Sequence, residues 1–136
     1  MTRHSMRKNV FILIFESFFT KQNAAEILEI AEDCEFIEIT DEITDIFTGI
    51  MEKRDELDLL IKPHLKKWTL ARISKVSLAI LRLAFYELTV FQDIDPPIIV
   101  NEAVELAKEY SVTEDASFIN GVLGNYLKNK SGNTNE

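Results

Sequence analysis

Apolar residues recur along most of this chain at three- and four-residue intervals, the period of a helix with one buried face. Val10 to Phe15 is apolar throughout, and Phe11, Phe15 and Phe18 stand at i, i+4 and i+7. That run predicts a central first helix, capped by Ser5 and reaching about Phe19. Asn23 with Glu26 three residues on predicts a capping box and a short second helix, with Ile27, Leu28 and Ala31 inward. Thr40 caps a longer third helix, with Asp41 and Glu42 in its first turn. Its stripe is Ile43, Phe47, Ile50 and Leu57, and Pro63 ends it. Residues 64–73 read as a short fourth helix or an irregular turn anchored by Trp68. Ser74 opens a fifth helix to about Phe91, with little polar face among Val76, Ala79, Ile80, Leu83, Ala84 and Leu88. Pro96 and Pro97 suit the first turn of a sixth. Thr113 caps a seventh ending near Lys128. No Asn-Gly or Asp-Gly pair stands between alternating runs, so no hairpin is predicted. The expected fold is all-α: a compact bundle of about seven helices in one domain over residues 1–128, with 129–136 a polar, disordered tail.

At 136 residues the chain can bury a core without disulfides or metal. Its single cysteine, Cys34, excludes an internal disulfide and fits a reducing compartment. The longest early apolar run, Val10 to Phe15, falls far short of the roughly 20 residues of a membrane span. A soluble, cytoplasmic protein with no membrane association is the reading.

The net charge of −8 argues against nucleic acid, but its distribution does not. Residues 16–58 hold 14 acids against three bases. From Leu59 to Tyr86 there is no acid, while Lys62, Lys66, Lys67, Arg72, Lys75 and Arg82 are all basic. Arg3, Arg7 and Lys8, with His4, form a second basic cluster.

Catalytic patterns are missing. His4 and His64 have no helical i, i+4 partner that would suggest a metal pair, and there is no Cys-x-x-Cys, Gly-rich phosphate loop or nucleophile elbow. Glu102, Glu105 and Glu109 read as a solvated face. No enzyme and no cofactor is expected. Asn101, Asn120 and Gly121, in contrast, interrupt apolar helical patterns. Gly121 is expected where another backbone approaches closely.

Trp68, Arg72, Arg82, Tyr86-Glu87-Leu88, Asp95-Pro96, Val100-Asn101-Glu102-Ala103 and Ala107-Lys108 precede Phe118-Ile119-Asn120-Gly121-Val122-Leu123. This order and spacing, after an opening Arg3-x-x-x-Arg7, resembles the bacterial NusB family of transcription antitermination factors over about Arg3 to Leu127. The resemblance implies two perpendicular three-helix bundles with an extra helix. It also implies binding of boxA-type single-stranded RNA of ribosomal operons, jointly with the ribosomal protein NusE, within the RNA polymerase antitermination complex. Some members self-associate, so a homodimer is possible. By the same resemblance Arg3, Arg7, Lys8, Ser117, Phe118 and Asn120 would contact RNA. Phe15, Trp68, Val76, Ser77 and Arg82 would face the protein partner, with Trp68 and Arg82 equally suited to brace the interior. Glutamate at both Arg7 and Lys8 is expected to weaken RNA binding and leave the melting temperature nearly intact. The short arginine arm, and Ser117 where a base is common, imply RNA affinity that relies on the partner. The other class of function left open is a helical protein–protein adaptor without specific RNA binding.

Overall fold

The structure is a computed structural model that describes residues 1–35 and 37–135, with side chains described through Lys130. Seven α-helices and one short 3-10 turn account for its regular structure, and no strand occurs among the described residues. No helix there is long and apolar enough to cross a membrane. The chain divides into two compact units, Met1–Arg54 and Asp55–Glu136.

The first unit holds α1 (Arg3–Ser17), α2 (Ala24–Cys34) and α3 (Asp41–Glu52), each packed on the other two. Helix α1 starts two residues before the predicted cap. Thr2 is the N-cap, and its Oγ1 accepts the Ser5 N–H at 3.0 Å. At α2 the capping box forms as the spacing requires: Asn23 Oδ1 accepts the Glu26 N–H at 2.9 Å, and Glu26 Oε1 accepts the Asn23 N–H at 3.0 Å. Thr40 Oγ1 accepts the Ile43 N–H and opens α3. The buried faces of these helices are Val10, Phe11, Leu13 and Ile14, then Ile27, Leu28 and Ala31, then Ile43, Ile46, Phe47 and Ile50.

The long third helix expected from Thr40 to Pro63 is instead broken at Lys53. Helix α3 stops there, and α4 runs from Arg54 to Ile61. Electrostatics supports the break. Arg54 Nε donates to the Met51 carbonyl, one of the acceptors a helix end leaves open, while Asp55 and Glu56 sit in the first turn of α4.

The second unit continues with the 3-10 turn Lys62–His64, then α5 (Lys75–Val90), α6 (Pro96–Tyr110) and α7 (Thr113–Asn135). Residues 65–74 form turns rather than a fourth helix, so the count of seven arises from the break at Lys53. Ser74 caps α5 through its hydroxyl, which accepts the Ser77 N–H at 3.0 Å. Helix α5 buries ten residues, among them Ile80, Leu83, Phe85 and Leu88, and it packs on α6 and α7. Helix α6 packs on α5 and α7 through Ile99, Ala103, Leu106 and Ala107. Helix α7 buries Ala116, Ile119, Val122 and Leu123 and continues to Asn135, past the predicted end near Lys128. Of the tail expected over 129–136, Glu136 and the side chains from 131 onward lie outside the described residues.

Candidate nucleic-acid interface

Between the 3-10 turn and α5 the chain makes a tight turn, closed by the Trp68 N–H donating to the Leu65 carbonyl at 3.0 Å. Lys66 adopts a left-handed backbone there, with φ 58°. For a residue with a Cβ this conformation costs on the order of 1 kcal/mol and persists only where its surroundings impose it. The anchors are His64 and Leu65, both buried. The His64 Nδ1–H donates to Asn125 Oδ1 of α7 at 2.6 Å, and the imidazole meets Tyr126 edge-on, centroids 5.5 Å apart. Held from beneath, the turn presents Lys66, Lys67 and Trp68 to solvent.

These residues border a groove of about 350 Å³ along α7, whose own contribution is Ser117, Phe118, Gly121 and Val122. Gly121 was expected at a close backbone approach, and the structure shows the opposite. A Cβ placed on Gly121 would meet nothing within 4 Å, and Gly124 is equally open. The glycine lowers the groove floor instead of admitting a neighbouring helix. A second, smaller cavity of about 230 Å³ adjoins the first and shares Trp68 and Phe118 with it. Its other walls come from Arg72, Ile73, Ser74 and Ser77, and from Glu114 and Asp115 at the start of α7.

Two groups assigned to different partners in the sequence, Ser117 and Phe118 on one side and Trp68 and Ser77 on the other, thus meet around adjacent cavities. Phe118 is half-buried and lines both, rather than lying in the core. Asn120 is exposed and borders neither cavity. Val76 is half-buried. Ser77 is 1% exposed, so it offers no outer surface to a protein partner, and it lies in the wall of the smaller cavity. Arg82 is not a surface contact either: its guanidinium binds Asp58 of α4 through two hydrogen bonds, at 2.8 and 2.9 Å. The internal brace is the reading that stands, with a carboxylate from another helix as acceptor.

The basic cluster at the start of α1 also differs from expectation. Arg7 is 3% exposed, buried with the apolar face of its helix, because position 7 falls three residues before Val10 and four before Phe11. A guanidinium so placed offers a phosphate almost no surface. Lys8 is half-buried. Arg3 is exposed and pairs with Glu42 at 2.9 Å, an exposed pair of small net worth that another anion could displace. Phe15 is half-buried at the centre of a ring cluster, 6.1 Å from Phe11, 6.5 Å from Phe18 and 5.1 Å from Phe19.

Sequence reasoning left Lys66, Lys67 and Arg72 out of the site. Their signal was present in the acid-free stretch from Leu59 to Tyr86, but nothing in that run tells which bases border a groove.

The sequence model of the NusB family matches residues 4–128. The transcription antitermination protein NusB of Clostridium novyi (strain NT) is 39% identical over 137 residues, covering 94% of this chain and 99% of the relative. A T. maritima NusB crystal structure superposes with a TM-score of 0.80 at 31% identity, covering 94% of this chain and 92% of that one. A crystal structure of antitermination factors NusB and NusE in complex with dsRNA matches in fold, with a TM-score of 0.81 at 22% identity over 93% and 96% of the two chains. With these matches over nearly its whole length, the chain belongs to the NusB family.

Proposed function

We propose that this chain is a transcription antitermination factor that binds boxA-type single-stranded RNA together with NusE and links the transcript to RNA polymerase. The observation that carries the reading is the groove beside α7. Lys66 and Lys67 stand along its edge, Trp68 and Phe118 offer aromatic faces, and the bare Gly121 keeps its floor low. Single-stranded RNA is held by this combination: cations for the phosphates and flat side chains on which unstacked bases rest. The acidic balance of the whole chain, −8, suits association with a basic ribosomal protein at other surfaces. Family membership supplies the biological setting, and the role is scaffolding rather than catalysis.

Fluorescence anisotropy of a labelled boxA-type RNA against a scrambled one, with and without NusE, tests the reading. Specific binding that tightens on addition of NusE is the expected result. Binding of NusE with no discrimination between the RNAs would overturn it and favour the adaptor.

A further inference from the structure

Arg82 and Arg3 each pair with a carboxylate from another helix, and the two pairs are built differently. The Arg82 fork meets Asp58 through two hydrogen bonds and is largely shielded, the side chains being 11% and 22% exposed. Arg3 meets Glu42 through one, Nη1 to Oε2 at 2.9 Å, with the side chains 52% and 51% exposed. Among the described residues no other group bonds the Arg3 guanidinium, so the rest of its fork of donors is open to solvent. Arg3 also stands where a cation is least favoured. It opens α1, at the positive end of the helix dipole, and the first turn of that helix holds no acid. The counter-charge comes from Glu42, in the first turn of α3, where Asp41 beside it provides a second acid for that helix end. Of the basic cluster Arg3, Arg7 and Lys8, Arg3 is the base most open to an external anion, since Arg7 is buried and Lys8 half-buried.

We infer that Glu42 is an internal competitor of RNA: its carboxylate holds Arg3 in place of a backbone phosphate, and a bound strand displaces it. The inference rests on the RNA-binding reading above and deepens it by naming a residue that limits the affinity. A backbone phosphate presents both of its unesterified oxygens to the planar fork, against the single contact that Glu42 makes, so the exchange favours the strand. Glu42, already half exposed, returns to water at little cost. The shielded, doubly bonded Asp58 has no such freedom, which is why the same pair of side-chain types braces the fold at Arg82 and stays exchangeable at Arg3. Competition for a phosphate contact carries no sequence information. Glu42 therefore lowers the affinity for any single strand by the same factor and leaves the choice among bases to other residues. Because the pair is exposed, salt screens it, and the competition is strongest at low ionic strength.

A labelled boxA-type RNA titrated at low salt against the full chain with NusE, in native, Glu42→Gln, Arg3→Gln and doubly substituted form, tests the competition. Glu42→Gln is expected to tighten binding roughly twofold to fivefold, the scale of one exposed ion pair. Arg3→Gln should weaken it, and Glu42→Gln added to Arg3→Gln should then change nothing further. The gain should be equal on scrambled RNA and shrink as salt rises. The melting temperature should move by no more than about a degree or two, so a folding defect does not imitate the effect. A gain of the same size in both backgrounds overturns the competition, because the carboxylate then acts through the general field and not through Arg3. Unchanged affinity in either single variant also overturns it. So does weaker binding in Glu42→Gln, which would make Glu42 a residue that orients Arg3 for the strand. Loss of NusE affinity in Glu42→Gln, measured without RNA, overturns it as well and assigns the pair to the protein interface. In all these cases the native chain still binds RNA; RNA that fails to bind the native chain with NusE overturns both readings.

Discussion

Arg82 on α5 grips both carboxylate oxygens of Asp58 on α4, Nε to Oδ1 at 2.9 Å and Nη2 to Oδ2 at 2.8 Å. The side chains are only 11% and 22% exposed, so water does little to screen them. Helix α4 is eight residues long and buries only Leu57 and Ile61, which makes the fork one of its main anchors. Asp58→Ala is expected to lower stability by about 2 kcal/mol, the range for charge-assisted bonds removed from one side. Arg82→Lys should not preserve the pair, because an ammonium cannot match the bidentate geometry. Urea unfolding of the two variants and a double-mutant cycle measure it.

Burial of Arg7 reverses the outcome expected for charge reversal in the first helix. Arg7→Glu places a carboxylate at a site 3% exposed, next to the apolar face of α1. A loss of about 3 kcal/mol or more is expected. In a chain of this size that lowers the melting temperature by roughly 10 °C. Arg3→Glu, at an exposed pair, should change it by no more than a degree or two. Thermal unfolding followed by circular dichroism separates the two.

Gly121 and Gly124 make a matched pair. Both lie within α7 with open space where a Cβ would stand, but only Gly121 borders the groove. Replacing either with alanine should stabilise the helix by up to about 1 kcal/mol. Gly121→Ala should in addition raise the groove floor and weaken boxA-type RNA severalfold, whereas Gly124→Ala leaves the affinity unchanged. Equal RNA affinity in both variants would detach the groove from RNA binding.

Lys66 and Lys67 are expected to act as phosphate contacts. Each alanine substitution should flatten the dependence of log affinity on log salt by about 0.7, the value for one contact to a single strand. Binding should weaken by a similar factor on boxA-type and scrambled RNA, because a phosphate contact carries no sequence information. Titrations across a range of salt concentrations read the slope directly.

Asn125 secures the turn that carries those lysines. Asn125→Leu deprives the buried His64 Nδ1–H of its acceptor and should cost about 1–3 kcal/mol. Loosening the turn should also reduce RNA affinity, although Asn125 itself does not border the groove. Chemical unfolding and RNA titration of this variant report the two effects separately.

What the sequence determined by itself was local. The all-helical class follows from apolar spacing, and the caps at Asn23, Thr40 and Ser74 form where short polar residues precede each amphipathic run. The break at Lys53 was written there too, in the order of two bases before two acids, but a continuous apolar stripe to Leu57 masked it. The motif ending in Phe118, Asn120 and Gly121 was legible as unusual; whether Gly121 faced a neighbour or open space was not, because a missing side chain looks the same in both cases. Only the tertiary structure decided that Arg7 turns inward, that Arg82 belongs to Asp58 24 residues away, and that Trp68, Ser77 and Phe118 line one cavity. Helical periodicity ties a residue to neighbours three and four positions along, within one turn. Which side chains from separate helices share a cavity depends on how the helices pack, and that is set by the whole core at once.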